Sequence, residues 1–130
     1  MRVITGKARG VVLKTPEGMK TRPTSDRVKE ALFSIIQFDL PNAKVLDLFA
    51  GTGSISLELM SRGCRQVISV EADRDHAAFI RQCAQKLNDD SLALIRGDVF
   101  RFLKSCRQQF DFIFADPPYA LKELASIQIV

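Results

Sequence analysis

The sharpest chemical signal in this chain of 130 residues is the tetrad Asp116-Pro117-Pro118-Tyr119, which follows the apolar run FIFA. A carboxylate and a backbone carbonyl side by side can each accept one hydrogen of an amino group. Two prolines fix φ and remove donors, so such a loop presents its carbonyls rigidly. Tyr119 adds a ring on which a planar base can stack, worth about 1–3 kcal/mol in comparable sites. The arrangement suits an exocyclic amine, a poor nucleophile whose lone pair is delocalised until both N–H bonds are held. Asp116, Pro117, Pro118 and Tyr119 are therefore the candidate catalytic residues; a polyproline turn leaving a strand is the plainer alternative.

A second constellation lies upstream, in VLDLFAGTG at residues 45–53. A strand ends in Asp47, and a loop bearing Gly51 and Gly53 opens a helix at Ser54. Glycines let the backbone pass close to a ligand, and a helix N-terminus offers unpaired N–H groups. Twenty residues after Gly51, Glu71 ends the next strand, where a carboxylate can accept both ribose hydroxyls of an adenosine. Asp98, within GDVF, follows the third strand and is positioned to approach an adenine amino group. Phe49 and Val99 complete this candidate set, although packing is the simpler role for Phe49. A dinucleotide would want GxGxxG, but here the third position is Ser56, and Asp47 would face the pyrophosphate. An acid is better matched to the sulfonium and ammonium of S-adenosylmethionine, so charge complementarity favours that cofactor.

The elements that must hold these residues read as strand and helix in alternation. Strands are expected at 44–48, 67–71, 92–96 and 110–115, with helices at 54–62, 74–88 and 99–106 between them. Gly63 and Asn88 stand where helix C-caps belong. Near-continuous apolar strands separated by helices predict an α/β fold with a parallel sheet covered on both faces. Upstream, residues 2–5 and 11–14 favour strands and GKARG a turn, which predicts a basic-tipped hairpin. A loop follows over 15–24, then a helix capped by Thr24 or Ser25 and running to about Gln37. Its buried stripe is expected to be Val28, Ala31, Leu32, Ile35 and Ile36. Pro41 and Asn42 divide a basic extension at 1–41 from a cofactor-binding domain at 42–130 that stops soon after the tetrad.

The net charge is +4, but residues 1–29 carry +6 and the remainder −2. The first segment is either a solvated basic face or a phosphate-contacting lobe, and charge alone does not choose. In the second reading Arg2, Lys7, Arg9, Lys14, Lys20 and Arg27 are the candidate RNA contacts. Charged residues interrupt every apolar run, so no membrane span is expected, and the start lacks a secretory signal. Cys64, Cys83 and Cys106 lack ligand spacing and read as buried thiols in a reducing cytoplasm. His76, the only histidine, sits in a helical pattern, and no metal site is expected.

Residues 44–119 resemble the motif series of class I methyltransferases acting on amino nitrogens. The span 1–119 is similar to the RsmD-type family, which methylates guanine N2 in bacterial 16S rRNA. RVITGKARG and TPEGMKTRPTSDRVKEALF carry the narrower match. The resemblance implies a Rossmann-like sheet with visible strand order 3-2-1-4, S-adenosylmethionine as cofactor, and 16S rRNA in a 30S particle as partner. It also implies that Arg22 and Thr24, in RPT, border the pocket and that the hairpin grips RNA. Family members continue beyond the tetrad with three more strands, so strand 4 would be an exposed edge here. An adenine-N6 methyltransferase on DNA, or a truncated non-catalytic RNA-binding remnant, are the alternatives.

Overall fold

A computed structural model describes residues 1–16 and 26–117. Lys20, Arg22, Thr24, Pro118 and Tyr119, together with the proposed helix caps Thr24 and Ser25, lie outside the described residues.

Strands β1 (Lys44–Leu48), β2 (Gln66–Glu71), β3 (Leu92–Arg96) and β4 (Phe112–Ala115) form one parallel sheet. Its order is β3-β2-β1-β4, as the resemblance implied. The helices are α1 (Asp26–Ile36), α2 (Ser54–Ser61), α3 (Arg74–Lys86) and α4 (Val99–Ser105). Gly63 and Asn88, with φ of 89° and 52°, follow α2 and α3 where their C-caps were expected.

Alternation along the strands sorts the core into two faces. Val45 and Val67 face α1 and α2, in a cluster with Phe33, Leu40, Leu59 and Cys64. On the same side, Leu57 and Met60 of α2 meet Phe79 and Cys83 of α3, with Leu13 of the amino-terminal segment closing the cluster. Leu46, Leu48, Ile68 and Val70 point the other way, toward Val99 at the start of α4. The central strands β1 and β2 are almost wholly buried, as strands covered on both faces must be. Burial pushes the Cys64 and Cys83 thiols up to about 11. No helix among the described residues is long and apolar enough to cross a membrane.

Two expectations for the first 41 residues need correction. The core face of α1 is not Val28, Ala31, Leu32, Ile35 and Ile36. Val28 is 59% and Ile35 80% exposed, and Ala31 faces outward too. The buried stripe is Lys29 and Phe33, continuing to Leu40, with Leu32 and Ile36 half-buried beside it. A lysine can occupy the core face because Glu58, fully buried on α2, is 3.6 Å from its ammonium. Arg62, one turn beyond Glu58, lies over the Phe33 ring at 4.7 Å and ties the same helices together.

The amino-terminal hairpin is present but shorter than expected. Its strands contract to a single antiparallel bridge, Arg2 with Val12, flanked by bonds between Val3 and Val11 and between Leu13 and Met1. The Ile4 and Thr5 amides turn away from the partner strand and donate to the Glu58 carboxylate at 2.8 and 3.0 Å. At Gly6, φ is 96° and a Cβ would lie 2.0 Å from the Ser61 carbonyl oxygen. Only glycine permits that approach, which presses the hairpin onto the end of α2.

Candidate active site at the carboxyl ends of the strands

In a parallel sheet every strand delivers its carboxyl end to one edge. Leu48 of β1 is in register with Ala115 of β4, so Phe49 and Asp116 leave the sheet as neighbours. The chain reaches β2 and β3 on one side of β1 and β4 on the other, so this gap is the point where strand order reverses. Crevices at such points are where open α/β sheets bind ligands.

Asp47 lies one residue inside that edge and is only 4% exposed. Its neighbour in register on β2 is Ser69, and Ser56 of α2 donates to its carboxylate at 2.5 Å. The Ser56 and Ser69 hydroxyls are also bonded to each other. Burial raises the Asp47 carboxyl to about 7; the Ser56 hydroxyl pulls against this, while the Glu71 and Asp116 carboxylates push it higher. Glu71 and Asp116 are therefore near enough to feel Asp47 electrostatically, and these three acids are brought together.

Gly51 and Gly53 form the turn between Asp47 and α2. The Gly51 amide donates to one Glu71 oxygen at 2.7 Å, and the Asp73 amide donates to the other at 2.8 Å. Glu71 thus braces the glycine turn from the end of the adjacent strand. At Gly53, φ is 80° and a Cβ would meet Ile80 of α3 at 2.8 Å. Gly53 is also the N-cap of α2, with no side-chain cap bond. The other two helices leaving this edge do have caps: Asp73 accepts from the His76 amide and Asp98 from the Arg101 amide, each at 2.9 Å.

The remaining expected residues are more scattered in role. Asp98 is exposed and caps α4, while Val99 commits its side chain to the core. The end of β3 is linked to this edge by the Gly97 amide, which donates to the Glu71 carbonyl at 3.0 Å. Phe49 has φ of 56° and meets Phe100 edge-to-face at 6.1 Å between ring centres, so it packs while lining the edge. Asp116 is exposed and Pro117 half-buried. Arg2, Lys7, Arg9, Lys14 and Arg27 are all exposed, and Lys7 pairs with Asp89 at 2.9 Å. No cluster with metal-ligating character occurs among the described residues. Sequence reading missed Ser56, Ser69 and the Lys29–Glu58 pair. The available signal was polarity in the wrong place: Ser69 inside VISVE and Glu58 inside an apolar helix.

Known proteins resemble this chain in sequence and in fold. The family model described as Conserved hypothetical protein 95 matches residues 1–130. The Bacillus subtilis protein YlbH is 36% identical over 98% of this chain and 71% of its own length. The ribosomal RNA small subunit methyltransferase D of Haemophilus influenzae is 35% identical over 92% of this chain and 64% of its own. This chain thus spans about two-thirds of the length of these relatives. The solved Escherichia coli protein yhhF superposes with a TM-score of 0.87 at 30% identity, over 96% of this chain and 69% of that one. By its sheet order and by its match along the whole chain, the protein belongs to the Conserved hypothetical protein 95 family, the RsmD-type methyltransferases, and has their Rossmann-like class I fold.

Proposed function

We propose that this chain carries the cofactor-binding and base-holding part of an enzyme that methylates the exocyclic N2 of a guanine in small-subunit rRNA, with S-adenosylmethionine as donor. The observation that carries the reading is the register of Leu48 with Ala115, which sets Asp116 beside the glycine turn.

The residues at this edge fit such a cofactor. Asp47, Glu71 and Asp116 make the edge electronegative, which suits a sulfonium and an ammonium. The Ser56 amide of α2 bonds Asp47, and the amides ahead of it at the helix tip are the ones directed to the cofactor's carboxylate. Each Glu71 oxygen accepts one backbone N–H and keeps a lone pair for a ribose hydroxyl. Asp98 and Val99 stand at the adenine end, with Arg22 and Thr24 assigned to the pocket rim by resemblance. Bound there, S-adenosylmethionine supplies an electrophilic methyl group.

The work of the chain is orientation and electrostatics. The Asp116 carboxylate and the Pro117 carbonyl each hold one hydrogen of the amine, so its lone pair is aimed into the cleft. Pro118 stiffens that loop and Tyr119 stacks on the extruded base. Asp116 is exposed, so the proton displaced by methylation is lost through it to water. Arg2, Lys7, Arg9, Lys14, Lys20 and Arg27 contact phosphates of 16S rRNA, in an assembling 30S particle in the cytoplasm.

Incubation with labelled S-adenosylmethionine and immature 30S particles, followed by digestion to nucleosides, tests the proposal. Label in N2-methylguanosine is expected; label in N6-methyladenosine, or in protein alone, would reject it. Asp116→Ala is expected to abolish turnover while leaving affinity for S-adenosylhomocysteine within about twofold, measured by calorimetry.

A further inference from the structure

The pair Lys29–Glu58 has no part in the chemistry above, yet it is the most deeply buried charged cluster among the described residues. Lys29 is 1% exposed and Glu58 fully buried. The Lys29 ammonium donates to the Arg2 carbonyl at 2.7 Å and to the Ser54 hydroxyl at 3.1 Å. Ser54 is the first residue of α2, directly after Gly53. One turn along, the Glu58 carboxylate holds the Ile4 and Thr5 amides on its two oxygens and also pairs with Arg62 at 2.8 Å. One cluster therefore joins the backbone of the basic hairpin to the first residue of the cofactor-turn helix.

Buried ion pairs are poor stabilisers compared with apolar side chains of similar volume, so stability alone gives little reason for one here. Their physical character is all-or-none. An ammonium in a dry site cannot give up one acceptor cheaply, because the lost bond is not replaced by water. The Arg2 carbonyl, the Ser54 hydroxyl and the Glu58 carboxylate are consequently held or released together. A ligand that orders the first turn of α2 fixes Ser54, and through Lys29 it fixes residues 2–5.

We propose that Lys29 is a positioning residue that couples cofactor occupancy of the glycine turn to ordering of the RNA-facing hairpin. The inference rests on the cofactor reading given above. Coupling of this kind is reciprocal: RNA bound to the hairpin tightens the cofactor by the same factor.

Amide hydrogen exchange of the whole chain, with and without saturating S-adenosylhomocysteine, reads the coupling directly. Calorimetry first establishes that the ligand binds. Exchange at Ile4 and Thr5, whose amides sit on Glu58, is expected to slow by about fivefold on binding, at the low end of known couplings. In Lys29→Met/Glu58→Gln, which keeps the volume and removes both charges, binding is expected to persist while the slowing disappears. No slowing in the unaltered chain, or undiminished slowing in the double variant, would overturn the inference and leave the cofactor reading intact. Absence of any S-adenosylhomocysteine binding would overturn both. Should the double variant fail to fold, the unaltered chain's result alone decides.

Discussion

Three helices leave the same edge of the sheet, and the first junction is built unlike the other two. At β2–α3 and β3–α4 an exposed aspartate, Asp73 or Asp98, sits at the helix tip and caps it. At β1–α2 the tip is Gly53, without a side-chain cap, and the acid lies beneath the turn as the buried Asp47. A capped helix has satisfied its first amides from its own chain. At α2 the acceptor comes instead from the strand beneath, where Asp47 takes both the hydroxyl and the backbone amide of Ser56, so the helix tip has no acid of its own to keep a ligand away. The contrast teaches that the local rule of helix capping fails where a ligand is expected to complete the structure.

The largest effect expected from breaking this contrast is at Asp47. Its carboxyl rises from an ordinary 3.8 to about 7, so ionising it in the folded chain costs roughly 4 kcal/mol. A folded-state value above the unfolded one means the contribution is present below pH 4 and lost as pH rises through 7. Asp47→Asn should therefore gain stability relative to the unaltered chain between pH 4 and 8, in urea titrations at each pH. A difference that stays constant with pH would show that burial does not perturb Asp47. Next in size is Gly53→Ala, which forces a side chain into φ of 80° and against Ile80. A loss of about 3 kcal/mol is expected from the left-handed backbone and overpacking together. A loss below about 1 kcal/mol would mean that α3 moves aside.

Glu71→Ala should weaken S-adenosylhomocysteine by about 1.5–3 kcal/mol in calorimetry, the range for hydrogen bonds to a charged group. Equal damage from Asp116→Ala would erase the division between holding the cofactor and holding the base. The smallest changes sharpen the contrast among junctions. Asp73→Ala and Asp98→Ala should each lower stability by about 1 kcal/mol through loss of a cap. Only Asp98→Ala should also weaken the ligand; parallel effects on binding would make the two capped junctions equivalent.

The sheet was readable because its signals are local. VLDLF, VISVE, LALIR and FDFIFA are apolar runs of strand length, and the observed strands start within two residues of the expected ones. The positions of Asp47, Glu71, Asp98 and Asp116 near strand ends were readable for the same reason. What stayed hidden depends on partners far along the chain. α1 carries apolar residues on two faces, and periodicity alone cannot say which is buried when Glu58, distant in sequence, draws Lys29 inward. The hairpin was overextended because nothing in RVITG announces that two of its amides will serve a carboxylate on α2. Asp98 was assigned to a ligand, while its capping bond to Arg101 is visible only once α4 is seen to start at Val99.

The two core thiols offer a clock on how this fold comes apart. Cys64 belongs to the layer between α1 and the sheet, and Cys83 to the layer between α2, α3 and the hairpin. With burial holding both near 11, almost no thiolate exists at neutral pH while the layers stay shut. Alkylation at either position therefore counts openings of its own layer, and the order in which the two become modified ranks the layers by how often each breathes.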